Sequence, residues 1–223
     1  MKIYVDVGNT NIKILDNNEL YILNVNIINI EYLITKYKTY EWIIIFTNKN
    51  KQEFIDVLTD SNINFKNIVN NDLIDVKLNK NINRDEIGID ILLASKYLND
   101  NNGVIIINGT VLLSVLIINS CIESISLQMG THEQNKFINN ILNLNDNYEF
   151  TPNLGTNTHL SMNLGNFLNV NGIINYYYSN YNVQNFVLTG NGFKNMEIKN
   201  FVNSNYKIEF IDNLVLKMLE KSF

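Results

Sequence analysis

The residues best suited to chemistry come first in the chain. Asp6-Val7-Gly8-Asn9-Thr10-Asn11-Ile12-Lys13 places one carboxylate, one small turn residue, one hydroxyl and one ammonium within eight positions. A strand that ends at Asp6 would present its carboxylate at the strand's tip, where it could hold Mg²⁺ through water. Gly8 lets the backbone approach a phosphate closely. The N–H groups of the turn, the Thr10 hydroxyl and the Lys13 ammonium can then meet phosphate oxygens. The same eight residues also satisfy a plain Asn/Gly hairpin with a solvated Asp6 and Lys13, and spacing alone leaves both readings open.

Three further places could take part. Gly109-Thr110 repeats the strand–glycine–threonine arrangement, and Thr189-Gly190-Asn191-Gly192 follows an apolar strand. Either suits a phosphate or nucleoside contact, and either suits an ordinary turn. Asp90, in Gly88-Ile89-Asp90, could accept the proton of a substrate hydroxyl during phosphoryl transfer, or could simply be a solvated or capping carboxylate. His132 and His159 have no third partner at zinc spacing and read as ordinary polar residues. The Tyr176-Tyr177-Tyr178 run reads as core or interface.

The elements that must position these residues follow an α/β order. Strands are expected over 2–7, 11–15 and 19–26, a helix over 29–38, a buried strand over 42–46 and a helix over 50–60. Residues 61–85 show no clear period, and a helix follows over 86–98. The pattern then restarts, with strands over 104–107, 111–118 and 121–128, helices over 132–142 and 158–180, strands over 186–188 and 206–211, and a last helix over 213–221. A strand–glycine–strand–strand unit thus occurs twice, near residues 2 and 104. The expectation is two similar domains, 1–99 and 100–223, facing a cleft.

Composition narrows the classes. The chain has 223 residues, 46% of them apolar, and a formal net charge of -5. Arg84 is its only arginine. No basic face for nucleic acid is expected. Cys121 is the only cysteine, which excludes an internal disulfide and fits a cytoplasmic protein. No apolar run reaches the roughly 18 residues of a membrane span, and residues 1–7 read as a strand rather than as a leader.

Taken together, these motifs resemble the type III pantothenate kinase family. Residues 6–13 match its first phosphate motif (D-x-G-N-T-N-x-K) at every fixed position. Gly88-Ile89-Asp90 matches its G-x-D-R up to the last residue, and Gly109-Thr110 the end of its D-x-G-T. Leu154-Gly155-Thr156-Asn157-Thr158, with Ser161 and Gly165 downstream, resembles a later L-G-x-N-T segment. Thr189-Gly190 resembles its C-terminal T-G-G. The matches occur in family order over most of the chain.

The resemblance implies an α/β fold of the duplicated ribonuclease-H-like (actin-like ATPase) kind, with two similar domains around a nucleotide cleft. It implies a homodimer that phosphorylates pantothenate in the first step of coenzyme A synthesis, using ATP, Mg²⁺ and a monovalent cation (K⁺ or NH₄⁺). By motif position Asp90 would be the base. Asp6, Val7, Gly8, Asn9, Thr10, Asn11, Ile12, Lys13 and Thr110 would bind ATP, with Asp6 on the metal. Gly88, Ile89, Asp90, Ile91 and Thr158 would bind pantothenate, Thr158 from the other protomer.

The departures are specific. Ile107 replaces the aspartate that ligates the monovalent cation, so that ligand is lost. Ile91 replaces the arginine after the base, and Asn81 a tyrosine of the pantothenate site. The continuation Val111-Leu112-Leu113-Ser114-Val115 lacks a further threonine and aspartate. Met129-Gly130 stands where the family has P-G. This pattern fits a slow, divergent kinase, or a chain that keeps the fold and an ATP site while acting as a regulatory or interaction protein.

Overall fold

A computed structural model describes residues 1–47, 51–73, 75–98, 101–143, 152–194 and 205–223. The chain divides into two compact units. The first comprises Met1–Asp75, Asn83–Tyr97 and Val215–Phe223; the second comprises Val76–Ile82 and Leu98–Leu214. The expected boundary at residues 99 and 100, and residue 50 at the start of an expected helix, lie outside the described residues.

The first unit is built on a five-stranded sheet. Its strands are β1 (Lys2–Val7), β2 (Asn11–Asp16), β3 (Glu19–Asn24), β4 (Glu41–Phe46) and β5 (Phe65–Asn67), in the order β3-β2-β1-β4-β5. The first three form an antiparallel meander, and β4 and β5 add in parallel beside β1. Trp42, Ile43, Ile44 and Ile45 are all buried, so β4 is apolar on both faces, as a central parallel strand must be. Helices α1 (Ile27–Lys36) and α2 (Lys51–Asp60) bury Ile30, Leu33, Phe54 and Leu58 against Ile3, Val5, Ile14 and Ile44. The helix expected over 86–98 is shorter. Gly88 caps α3 (Ile89–Ser95), and the chain tightens into a 3₁₀ turn at Lys96–Leu98.

The second unit carries a six-stranded sheet. Strands β6 (Lys77–Leu78), β7 (Gly103–Asn108), β8 (Val111–Ile118), β9 (Cys121–Met129), β10 (Asn185–Thr189) and β11 (Lys207–Phe210) lie in the order β11-β10-β7-β8-β9-β6. Again three strands form a meander and two add in parallel beside the first of them. Read from β9 to β11, the order repeats that of the first sheet. The two expected units near residues 2 and 104 are therefore separate sheets of one topology. Helix α5 (Thr158–Tyr181) lays Phe167, Val170, Ile174 and Tyr177 on Val104, Leu116, Phe186 and Leu188, and α4 (Thr131–Leu142) precedes it. A last helix, α6, spans Leu214–Ser222.

Asparagine does much of the turn chemistry in this glycine-poor chain. Asn17 and Asn18 hold φ of 47° and 67° in the β2–β3 turn, and Asn119 and Ser120 hold 52° and 61° in the β8–β9 turn. Two successive left-handed residues make the type I′ geometry that matches strand twist. Asn143 and Asn182 end α4 and α5 in the same left-handed conformation.

Candidate functional site

The β1–β2 turn closes through a hydrogen bond from the Gly8 N–H to the Asn11 carbonyl, 2.9 Å. That turn sets the register in which Asp6 faces Lys13 across the pair. Both side chains lie at the same end of the sheet, and the Lys13 ammonium sits 3.8 Å from the Asp6 carboxylate. From the neighbouring strand, Thr47 follows β4 directly. Its hydroxyl donates to Asp6 at 3.5 Å, and its N–H donates to the Val7 carbonyl at 3.0 Å.

Asp6 is 9% exposed. Burial pushes its pKa up to about 6; Lys13 opposes the shift, Asp90 adds to it and the Thr47 hydrogen bond opposes it. None of its contacts is short, so the charged form is under-compensated.

Asp90 stands in the first turn of α3, half-buried as a residue but with its carboxyl surrounded by protein. Burial raises its pKa, against hydrogen bonds from the backbone N–H groups of Ile91 and Asp90 and against the charge of Lys13. A side chain at Gly88 would collide with the Asp90 carboxylate. The space left by Gly88 is thus taken by the folded-back Asp90 carboxylate. Ile89 and Ile91 are buried, so position 91 packs inward and presents no polar group.

One unit therefore brings together Asp6, Gly8, Lys13 and Gly88 to Asp90: two carboxylates of raised pKa with one ammonium between their fields. Asn9 and Thr10 are exposed at the turn, Val7 and Ile12 are buried in the sheet and Asn11 is half-buried. Thr110 and Thr158 belong to the second unit and are both exposed there. Thr158 opens α5, whose Asn157 cap accepts from the Leu160 N–H at 2.9 Å.

Two residues were missed from sequence. Thr47 had one usable signal, a hydroxyl immediately after a buried strand. Asn108 had none. It is fully buried at the end of β7, donating to the Thr131 hydroxyl at 2.8 Å and accepting from the Thr131 N–H at 3.2 Å. Gly190, with φ of 105°, and Gly192 lie against it so closely that a side chain at either would overlap Asn108. The Thr189–Gly192 loop is in this way seated on the β7–β8 turn. Ile107, half-buried beside it, has no side-chain oxygen that could bind a cation.

The residues present fit a Mg·nucleotide in one respect. Asp6 is a hard oxygen donor whose buried carboxylate is met, among the described residues, only by Lys13 at 3.8 Å and Thr47 at 3.5 Å. Among the described residues no group of three or more His, Cys, Asp or Glu could hold a metal unaided. Such an ion would need oxygens from the nucleotide and water.

No protein-family model and no curated protein sequence matches the chain. Solved structures do. A protein described as a Baf family transcriptional activator, from Campylobacter jejuni, matches with a TM-score of 0.66 at 17% identity, over 99% of this chain and 96% of its own. A protein described as a 2-dehydro-3-deoxygalactonokinase, from Sinorhizobium meliloti, matches with a TM-score of 0.60 at 12% identity, over 100% and 95%. The ethanolamine utilization protein EutJ from Carboxydothermus hydrogenoformans matches with a TM-score of 0.52 at 10% identity, over 98% and 86%. At such identities the likeness is one of fold. With the repeated strand order, it gives this chain the duplicated ribonuclease-H-like (actin-like ATPase) α/β fold.

Proposed function

We propose that the chain is a divergent pantothenate kinase, transferring a phosphoryl group from ATP to the alcohol of pantothenate. The observation that carries this reading is the Asp6–Lys13–Asp90 cluster at the tip of the first sheet. Asp6 and the turn over residues 7–13 hold the phosphates and Mg²⁺; bound there, the metal would neutralise charge on the transferred group. Lys13 keeps both carboxylates and phosphate in one electrostatic frame. Asp90 takes the proton of the acceptor hydroxyl, and its raised pKa makes it a stronger base for that step. Thr110, in the corresponding turn of the second unit, is proposed to offer the same hydroxyl chemistry to phosphate. Gly88, Ile89 and Ile91 frame the acceptor side of the site.

The assembly proposed is a homodimer, with Thr158 serving the substrate of the other protomer. Helix α4 supports it, because its buried face is polar (Thr131, Asn135, Asn139) while Phe137 and Ile141 are 59% and 64% exposed. No helix among the described residues is long and apolar enough to cross a membrane. With the net charge of -5, the proposal has cytoplasmic action on small molecules and no nucleic-acid partner.

The test is ADP release with and without pantothenate, at varied K⁺ and NH₄⁺. Weak pantothenate-dependent turnover, lost in Asp90→Asn with Mg·ATP binding intact, is expected. A second reading, a regulatory protein with an ATP site, is favoured by the description of the Campylobacter jejuni structure and by the loss of polar groups at Ile91 and Ile107. It takes over if turnover stays at background and Asp90→Asn leaves the cellular phenotype unchanged.

A further inference from the structure

Beside the Gly88 end of α3 the first unit contains a cleft of about 370 Å³, lined by Phe46, Lys51, Asn67, Asp85, Gly88 and Ile89 among others. That volume suits a small metabolite. The lining mixes apolar surface with a few polar atoms, and two of these are uncommitted. The side-chain amide oxygen of Asn67 is buried and accepts no hydrogen bond among the described residues. Lys51 is half-buried, with its ammonium 5.9 Å from the Phe46 ring, and forms no ion pair among the described residues.

Two other lysines of this unit are paired. Lys13 faces Asp6 at 3.8 Å, and Lys96 pairs with Asp75 at 3.1 Å. Arg84 donates to the carbonyls of Asn70 and Leu73 at 3.1 and 3.0 Å, and Asn70 returns bonds to the carbonyls of Arg84 and Ile87. This knot fixes the cleft wall, and Lys51 is the cation among its described lining residues. The carboxylate of Asp85 stands on the same lining and would repel an anion from its own side.

We infer that this cleft seats the acceptor through Lys51, which pairs with the acceptor's carboxylate, while the Asn67 oxygen takes a hydrogen bond from an N–H or O–H of the same molecule. The inference rests on the acceptor reading above and names the group that replaces the missing arginine at position 91. It sets a polarity. The anionic end lies at Lys51, and the hydroxyl end lies toward Gly88 and Asp90. The ligand class is a small carboxylate-bearing alcohol with an amide or second hydroxyl donor.

Titration calorimetry on the full chain tests it, with pantothenate and with pantothenol, its neutral counterpart bearing a hydroxymethyl group for the carboxylate. Wild type should bind pantothenate about ten- to a hundredfold more tightly than pantothenol, as a charge-assisted pair implies. Lys51→Gln should erase that preference and leave pantothenol affinity unchanged, and Lys51→Arg should restore it. Asn67→Ala should weaken both ligands alike. Equal binding of the two ligands by wild type, binding of neither, or a preference that survives Lys51→Gln overturns the inference. A Lys51-dependent preference without any ADP release would keep the cleft and remove the kinase reading. Turnover indifferent to Lys51 would do the reverse.

Discussion

At the scale of single residues, Asp6 is where function and stability pull in opposite directions. Folded, it keeps its proton up to about pH 6; unfolded, it loses it near 3.8. Between those values the folded chain binds more protons, so this group's contribution to stability is full below about pH 4 and is lost as pH rises through 6. A shift of that size corresponds to about 3 kcal/mol as an upper bound. Asp6→Asn should therefore raise the melting temperature at pH 7.5, with the gain fading as the pH falls toward 4. It should also remove the stabilisation that Mg·ATP gives wild type in the same melts, since a ligand stabilises only what it binds. A variant destabilised at pH 7.5, or still stabilised by Mg·ATP, would contradict this account of Asp6. The order Asp-x-Gly was legible because a strand, a turn and a charge lie together in eight residues. The folded-back Asp90 carboxylate was not, because it depends on the cap geometry of α3, and neither was Thr47, whose role comes from a strand pairing across 40 residues.

At the scale of elements, sequence patterning carried most of the assignment and failed where length or period ran out. β5 and β6 are three and two residues long, too short to show an alternation, and their register comes from the strands they join. The helix over 86–98 was overextended because its apolar spacing continues into the 3₁₀ turn at Lys96–Leu98. α4 shows the opposite case, a clear period with its faces reversed. Its Asn135 side chain accepts from Asn166 of α5 at 3.1 Å, so the contact between these helices is an amide contact. The apolar stripe of Phe137 and Ile141 points outward, near the exposed Leu142. An exposed apolar stripe of this kind marks an interaction surface. The double variant Phe137→Ser, Ile141→Ser should turn the proposed dimer into a monomer in sedimentation experiments and leave the circular dichroism of the chain unchanged. If wild type sediments as a monomer at micromolar concentration, the dimer proposal fails.

At the scale of the whole molecule, the duplication makes each unit a reference for the other. The duplication was legible from the repeated strand–glycine–strand pattern, but the segments 76–82 and 215–223, which join the unit they do not adjoin in sequence, carry no local mark. The repeat also bears on the departure at position 107. Asp6 faces Lys13 across β1 and β2, and Ile107 faces Leu113 across β7 and β8, each acid or isoleucine standing two residues before its turn glycine. Where the first unit has an ion pair, the second has an apolar pair, with Leu113 6% exposed. Both members differ together, which is what packing demands, since an acid at the half-buried position 107 would face the buried Leu113 without a partner. Ile107→Asp alone should therefore lose roughly 3 kcal/mol of stability in urea melts. Leu113→Lys alone should lose a similar amount, and the double variant should lose less than the sum by about 1 kcal/mol or more, the coupling of a pair in contact. The same logic predicts that wild-type turnover is insensitive to K⁺, because neither Ile107 nor Leu113 offers a side-chain oxygen. Strictly additive losses would mean that the two positions do not form a pair equivalent to Asp6 and Lys13, and a steep K⁺ activation curve would place a cation ligand somewhere other than position 107.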